Sequence, residues 1–131
     1  MKPILFLLLT IIIFSCKKER GLTLFEKVNG RWELSRRWGT IAGVDESYPP
    51  GNGTILQFTG NNFYQYSGAQ LVQSGTFTIT EDITSYSVKG ARITFNANNG
   101  SGSEKFILIA DTALTFNDYV ADAEFIQYRR L

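Results

Sequence analysis

The sequence predicts an all-β fold, a small antiparallel up-and-down barrel of about eight strands with a short N-terminal helical turn. Three observations predict it. Apolar and polar residues alternate with period two in a series of short runs. The runs are separated by brief segments rich in Gly, Asn and Asp. No long crossover of the kind a parallel sheet requires divides them. A β-sandwich meets the same conditions and stands as the alternative architecture.

Residues 22–28 have the length for one or two helical turns before Asn29-Gly30. The first strand follows over 30–38, where Trp32, Leu34, Arg36 and Trp38 share one face by spacing. Residues 39–53 are the longest irregular piece, and Pro49-Pro50 keeps them out of a central strand. In 54–60, Leu56 and Phe58 share a face, and Gly60-Asn61-Asn62 makes a tight hairpin into 62–69. The clearest alternation is in 74–80, with Phe77 and Ile79 inward and Thr76, Thr78 and Thr80 outward. Glu81-Asp82 reads as a turn carrying solvated charges. Residues 84–89 and 91–97 read as two strands, or as one bent strand broken near Gly90, with Ile93 and Phe95 inward. Strands at 103–110, 112–117 and 122–130 complete the set, with Leu114 and Phe116 inward in the second of these.

Composition narrows the chemistry. The chain has no histidine, which removes the usual general base, the His-activated nucleophiles and the commonest metal ligand. The acids are scattered: Asp45-Glu46 lie in the long loop, and Asn117-Asp118 with Asp122 is too sparse for a calcium loop. No cofactor, metal site or catalytic residue is expected, and the chain does not read as an enzyme. Formal net charge is +1, which gives no electrostatic case for nucleic acid.

The single cysteine, Cys16, follows Met1-Lys2, an apolar run over 4–14 and the small residue Ser15; the charged Lys17-Lys18-Glu19-Arg20 come next. That order is the pattern of a secretory signal peptide. The apolar run is shorter than the roughly 20 residues a membrane-spanning helix needs, although an uncleaved anchor or a buried core helix remains an alternative. Ile13-Phe14-Ser15-Cys16 resembles the lipobox of bacterial lipoproteins. The resemblance implies that residues 1–15 are removed and that Cys16 carries a diacylglyceryl group on sulfur and an acyl chain, such as palmitate, on its amine. Residues 16–21 would then be a tether and 22–131 the barrel domain. The implied partner is a membrane and the implied location the periplasmic cell envelope of a Gram-negative bacterium. Lys17 differs from the Asp that holds some such proteins in the inner membrane, so the outer membrane is expected.

Gly30-Arg31-Trp32 resembles the G-x-W motif that opens the first strand of lipocalins. The resemblance covers 22–131. It implies that Trp32 packs across the closed end of the barrel under an Arg of the last strand, which Arg129 or Arg130 could supply. Eight strands enclose filling side chains or one small ligand. Regular pleating points Arg36 inward, where it would meet an acidic group on an otherwise apolar ligand; a bulge or the barrel rim would leave it solvated instead. Trp38, Tyr48, Tyr64 and Tyr66 are read as an aromatic rim, with 39–53 as a lid. The expected function is binding of a small apolar or acidic ligand at the barrel mouth. The alternative is a filled barrel that docks an envelope protein.

Overall fold

The computed structural model describes residues 21–39, 43–85, 87–118 and 123–131, with only the backbone at Asp82. Cys16 and the rest of residues 1–20, together with Asp122, lie outside the described residues. The elements are α1 (Leu24–Val28), β1 (Gly30–Gly39), β2 (Asp45–Ser47), β3 (Thr54–Thr59), β4 (Asn62–Ser67), β5 (Gln70–Ser85), β6 (Val88–Ala97), β7 (Gly102–Ala110), β8 (Ala113–Asn117) and β9 (Glu124–Arg130).

From β3 to β9 each strand pairs antiparallel with the next, and β1 joins both β3 and β9. Eight strands therefore close an up-and-down barrel, as the alternation predicts, and β2 lies outside the ring on β1. Phe58, Phe77, Ile93 and Leu114 are all buried inside. Phe58 meets Phe77 edge-on at 4.8 Å between ring centroids, and Phe63 meets Phe95 the same way at 4.9 Å.

One end is plugged. Thr23 caps α1 by accepting from Glu26 N at 3.2 Å, and the Glu26 carboxylate accepts from Thr23 N at 2.7 Å. Glu81 Oε1 accepts from Leu24 N at 3.0 Å, tying the helix to β5. Phe25 stacks on Phe77 at 5.6 Å. Trp32 is fully buried behind the helix, and its Nε1–H donates to Val28 O at 2.7 Å. Arg130, not Arg129, covers the indole, with its guanidinium carbon 4.3 Å from the ring centroid. The same guanidinium donates to Asn29 O at 3.2 Å and to Lys27 O, the exposed carbonyls where α1 ends. Gly30 has a φ of +130°, which favours glycine, and a Cβ there would reach Arg130 Nη1 at 2.9 Å and oblige that guanidinium to shift.

Two local features differ from the sequence reading, and a third decides an alternative that the sequence left open. Glu81 and Asp82 are not a turn: β5 runs on to Ser85 through a register shift between Thr80 and Ile83. The chain reverses instead around Ser87, at φ 65°, which divides the expected 84–89 strand between β5 and β6. Asp45–Ser47 form β2 rather than irregular chain. In β1 the register on β9 shifts between Leu34 and Arg36, so Ser35 is an added residue and the strand's parity reverses there.

Candidate functional site

Opposite the plugged end the barrel opens into a cavity of about 290 Å³. Residues directly opposite on paired strands share a face, and this rule places its wall. Leu56 faces Gln65, Gln65 faces Gln73, and Phe95 faces Ser103. Lys105 faces the fully buried Ile93, so it also points inward. Phe63, Phe116, Ile126 and Tyr128 complete the apolar wall, while Gln65, Gln73, Ser103 and Lys105 supply its polar groups. Lys105 forms an ion pair with Asp118, just beyond the end of β8; their side chains are 30% and 46% exposed.

The bulge at Ser35 decides between the two readings of Arg36 in favour of the solvated one. Arg36 now faces Gln127 on the outer surface. It donates to both carboxylate oxygens of Asp45 at 2.9 Å and lies 5.1 Å over the Trp38 ring. The hydrogen bond from Arg36 lowers the pKa of Asp45 and raises that of Arg36. Trp38 is stacked on Phe125 at 5.2 Å, with the rings 8° from parallel. Tyr64 and Tyr66 alternate with the cavity-lining Phe63 and Gln65, so they belong to the outer face. The expected rim of Trp38, Tyr48, Tyr64 and Tyr66 is therefore not assembled.

Arg37 takes the inward position instead, opposite Ile126. It pairs with Glu124 at 2.7 Å, and its pKa is raised by hydrogen bonds first with Glu124 and then with Tyr48. Tyr48 donates its hydroxyl proton to Glu46 Oε2 at 2.5 Å and packs against the edge of the core. Of the four expected rim residues, Tyr48 alone joins an inward group.

Residues 48–53 of the segment read as a lid are fastened to the outside of β1. Glu33, 2% exposed, accepts from Gly51 N at 2.9 and 3.0 Å and from Gly53 N at 3.4 Å. Asn52 Nδ2 donates to Leu34 O at 2.8 Å. Arg129 lies 3.6 Å from Glu33 and donates to Leu34 O at 3.3 Å and to Tyr48 O. The two terminal arginines thus have separate tasks: Arg130 closes the floor and Arg129 holds the 48–53 loop.

Sequence reasoning missed the lining residues, and among them and their neighbours the two inward cations, Lys105 and Arg37. Residues 105–109 read as one apolar strand without a clear parity, because Phe106 and Ile107 are both buried. Arg37 was hidden by the bulge. Among the described residues no group of three acids or thiols is placed to hold a metal ion.

Tyr128, at the cavity wall, has its pKa pushed up to about 12, chiefly by burial and against the opposing charge of Arg37. The stabilising contribution of its neutral form is complete below the unfolded value near 10. As pH rises from about 10 to about 12, the unfolded chain releases this proton while the folded chain keeps it, so stability falls by about 2–3 kcal/mol. Urea titrations at pH 9 and pH 12 should show that loss in the wild type beyond any loss in Tyr128→Phe. Equal losses in the two would contradict the buried hydroxyl.

Compared with known proteins, the chain matches no family model, no curated relative and no solved structure.

Proposed function

We propose that this protein is a lipid-anchored lipoprotein of the bacterial envelope whose lipocalin-like barrel binds a small, mainly apolar molecule at its open mouth and catalyses no reaction. The observation that carries the reading is the cavity of about 290 Å³ above a plugged floor. Its volume is close to the lower end of the roughly 300–1,000 Å³ range of small-molecule pockets, and an apolar wall with a few polar groups is their usual lining. Binding would come from burial of apolar ligand surface against Phe63, Phe95 and Phe116, with Gln65, Gln73 and Lys105 orienting the polar end. The stacking of Arg130 on Trp32 behind Gly30 supports the lipocalin-like part.

The neutral fluorophore N-phenyl-1-naphthylamine tests the pocket. Saturable enhancement is expected for the wild type. Ala97→Phe, which fills the cavity from its wall, should weaken binding at least about tenfold, as expected when a buried ring's worth of apolar contact is lost. Arg36→Ala should leave binding unchanged, because Arg36 faces outward. Equal binding by wild type and Ala97→Phe would contradict the site.

The anchor rests on the sequence around Cys16. Cys16→Ser should move the protein from the membrane pellet to the soluble fraction, since stable anchoring needs more than one acyl chain. The wild-type mass should correspond to a chain that begins at Cys16 and carries lipid. An intact Met1 on the membrane-bound protein would overturn this.

A second reading, docking of an envelope protein, is favoured by the exposed Leu71 and Val72, 48% and 53% accessible on β5, with Leu71 facing the outward Tyr66. It predicts that Leu71→Lys impairs function while Ala97→Phe does not.

A further inference from the structure

We infer that the ligand is a small amphiphilic monoanion, an apolar body of about ten non-hydrogen atoms ending in a carboxylate, and that Lys105 takes this carboxylate in exchange for Asp118. The inference deepens the ligand-binding reading and rests on it.

The charge pattern of the wall points to the sign. Among the described residues lining the cavity Lys105 carries the only formal charge; Arg37, turned inward near the mouth opposite Ile126, is already matched by Glu124 at 2.7 Å. Beside it stand neutral hydrogen-bond donors, Gln65, Gln73 and Ser103. Phe95, directly opposite Ser103, and Phe116 and Ile126 give the lining its apolar surface. A molecule seated here therefore meets mainly apolar surface, a few neutral polar groups and one lining cation.

The state of Lys105 makes the exchange cheap. An ammonium turned toward an apolar cavity requires a counter-charge, and Asp118 provides it from beyond the end of β8. Both side chains keep substantial water contact, so the pair is weakly held. A ligand carboxylate reproduces the interaction that Asp118 gives up, and the freed Asp118 returns to solvent. The apolar body of the ligand then supplies the net gain. Size follows from the volume: about 290 Å³ corresponds to about ten groups the size of a water molecule at about 30 Å³ each. Octanoate fits that description.

The test is calorimetric titration of the full chain in lipid nanodiscs, with empty discs subtracted, using octanoate, octan-1-ol and octylammonium. Octanoate should bind about tenfold or more tightly than octan-1-ol, as a charge-assisted hydrogen bond implies, and octylammonium should bind more weakly than either. Lys105→Gln should remove the advantage of octanoate over octan-1-ol, and an unchanged circular-dichroism spectrum shows that the variant is folded. Asp118→Asn should tighten octanoate, because the competing carboxylate is gone. If octanoate and octan-1-ol bind alike and Lys105→Gln changes neither, the anion specificity is overturned while the apolar-ligand reading survives. If Asp118→Asn weakens octanoate as much as Lys105→Gln does, Asp118 positions Lys105 and the exchange is overturned. If none of the three binds, this inference and the ligand-binding reading fall together.

Discussion

Trp32→Ala is expected to destabilise the protein by about 3–5 kcal/mol, the range for removing a fully buried large aromatic side chain. Three losses coincide at that position. The indole fills the floor of the barrel, its N–H satisfies Val28 O, and its face supports the Arg130 guanidinium. The void is bordered by α1, which is too short to be stable without packing. For a domain of this size such a loss corresponds to a fall in melting temperature of roughly 10–25 °C. Thermal melts and urea titrations followed by circular dichroism would measure it. Arg130→Ala should cost less, because the indole keeps its bond to Val28 O and the freed carbonyls of Lys27 and Asn29 sit where water reaches them. A loss below about 1 kcal/mol for Trp32→Ala would mean that the floor is not the keystone described here.

Glu33→Ala is the second large effect, also about 3–5 kcal/mol, the cost of removing one partner from a buried charged cluster. The carboxylate on the outer face of β1 gathers Gly51 N, Gly53 N and the Arg129 side chain. Without it, two backbone donors lose their acceptor in a covered place, and the Arg129 guanidinium, which keeps Leu34 O and Tyr48 O, loses its counter-charge. Amide hydrogen exchange separates this from a general loss of stability. Gly51 and Gly53 should exchange faster in the variant, while Phe77 and Ile93 in the barrel wall change only as far as global stability does. Full protection of Gly51 would contradict the clasp.

The strands were legible because half-buried antiparallel strands must alternate. Phe77 and Ile79 against Thr76, Thr78 and Thr80 could be sorted by inspection, and the barrel follows from many such runs joined by short turns. Gly30, Trp32 and a terminal arginine were legible as a motif, but strand parity could not choose between Arg129 and Arg130. The inward cation was not legible in β1. One extra residue at Ser35 exchanges the faces of everything after it, and Ser35 carries no mark that distinguishes a bulge from a regular strand position. The β5–β6 reversal was missed for a related reason: Ser87 adopts a positive φ that is ordinarily a glycine's, while Glu81-Asp82 looks like a turn and is not. β2 has three exposed residues and no apolar periodicity, so only its pairing with β1 reveals it. Lys105 lies in a run buried on both sides, where period two is lost.

The central claim is that the mouth of this barrel holds a small molecule. Native mass spectrometry of the protein extracted gently from the cells that make it tests that claim most directly. The wild-type protein is predicted to retain a small-molecule mass beyond its covalent mass, and Ala97→Phe, with the cavity filled, to lack it. The same bare covalent mass in both proteins would contradict a bound ligand.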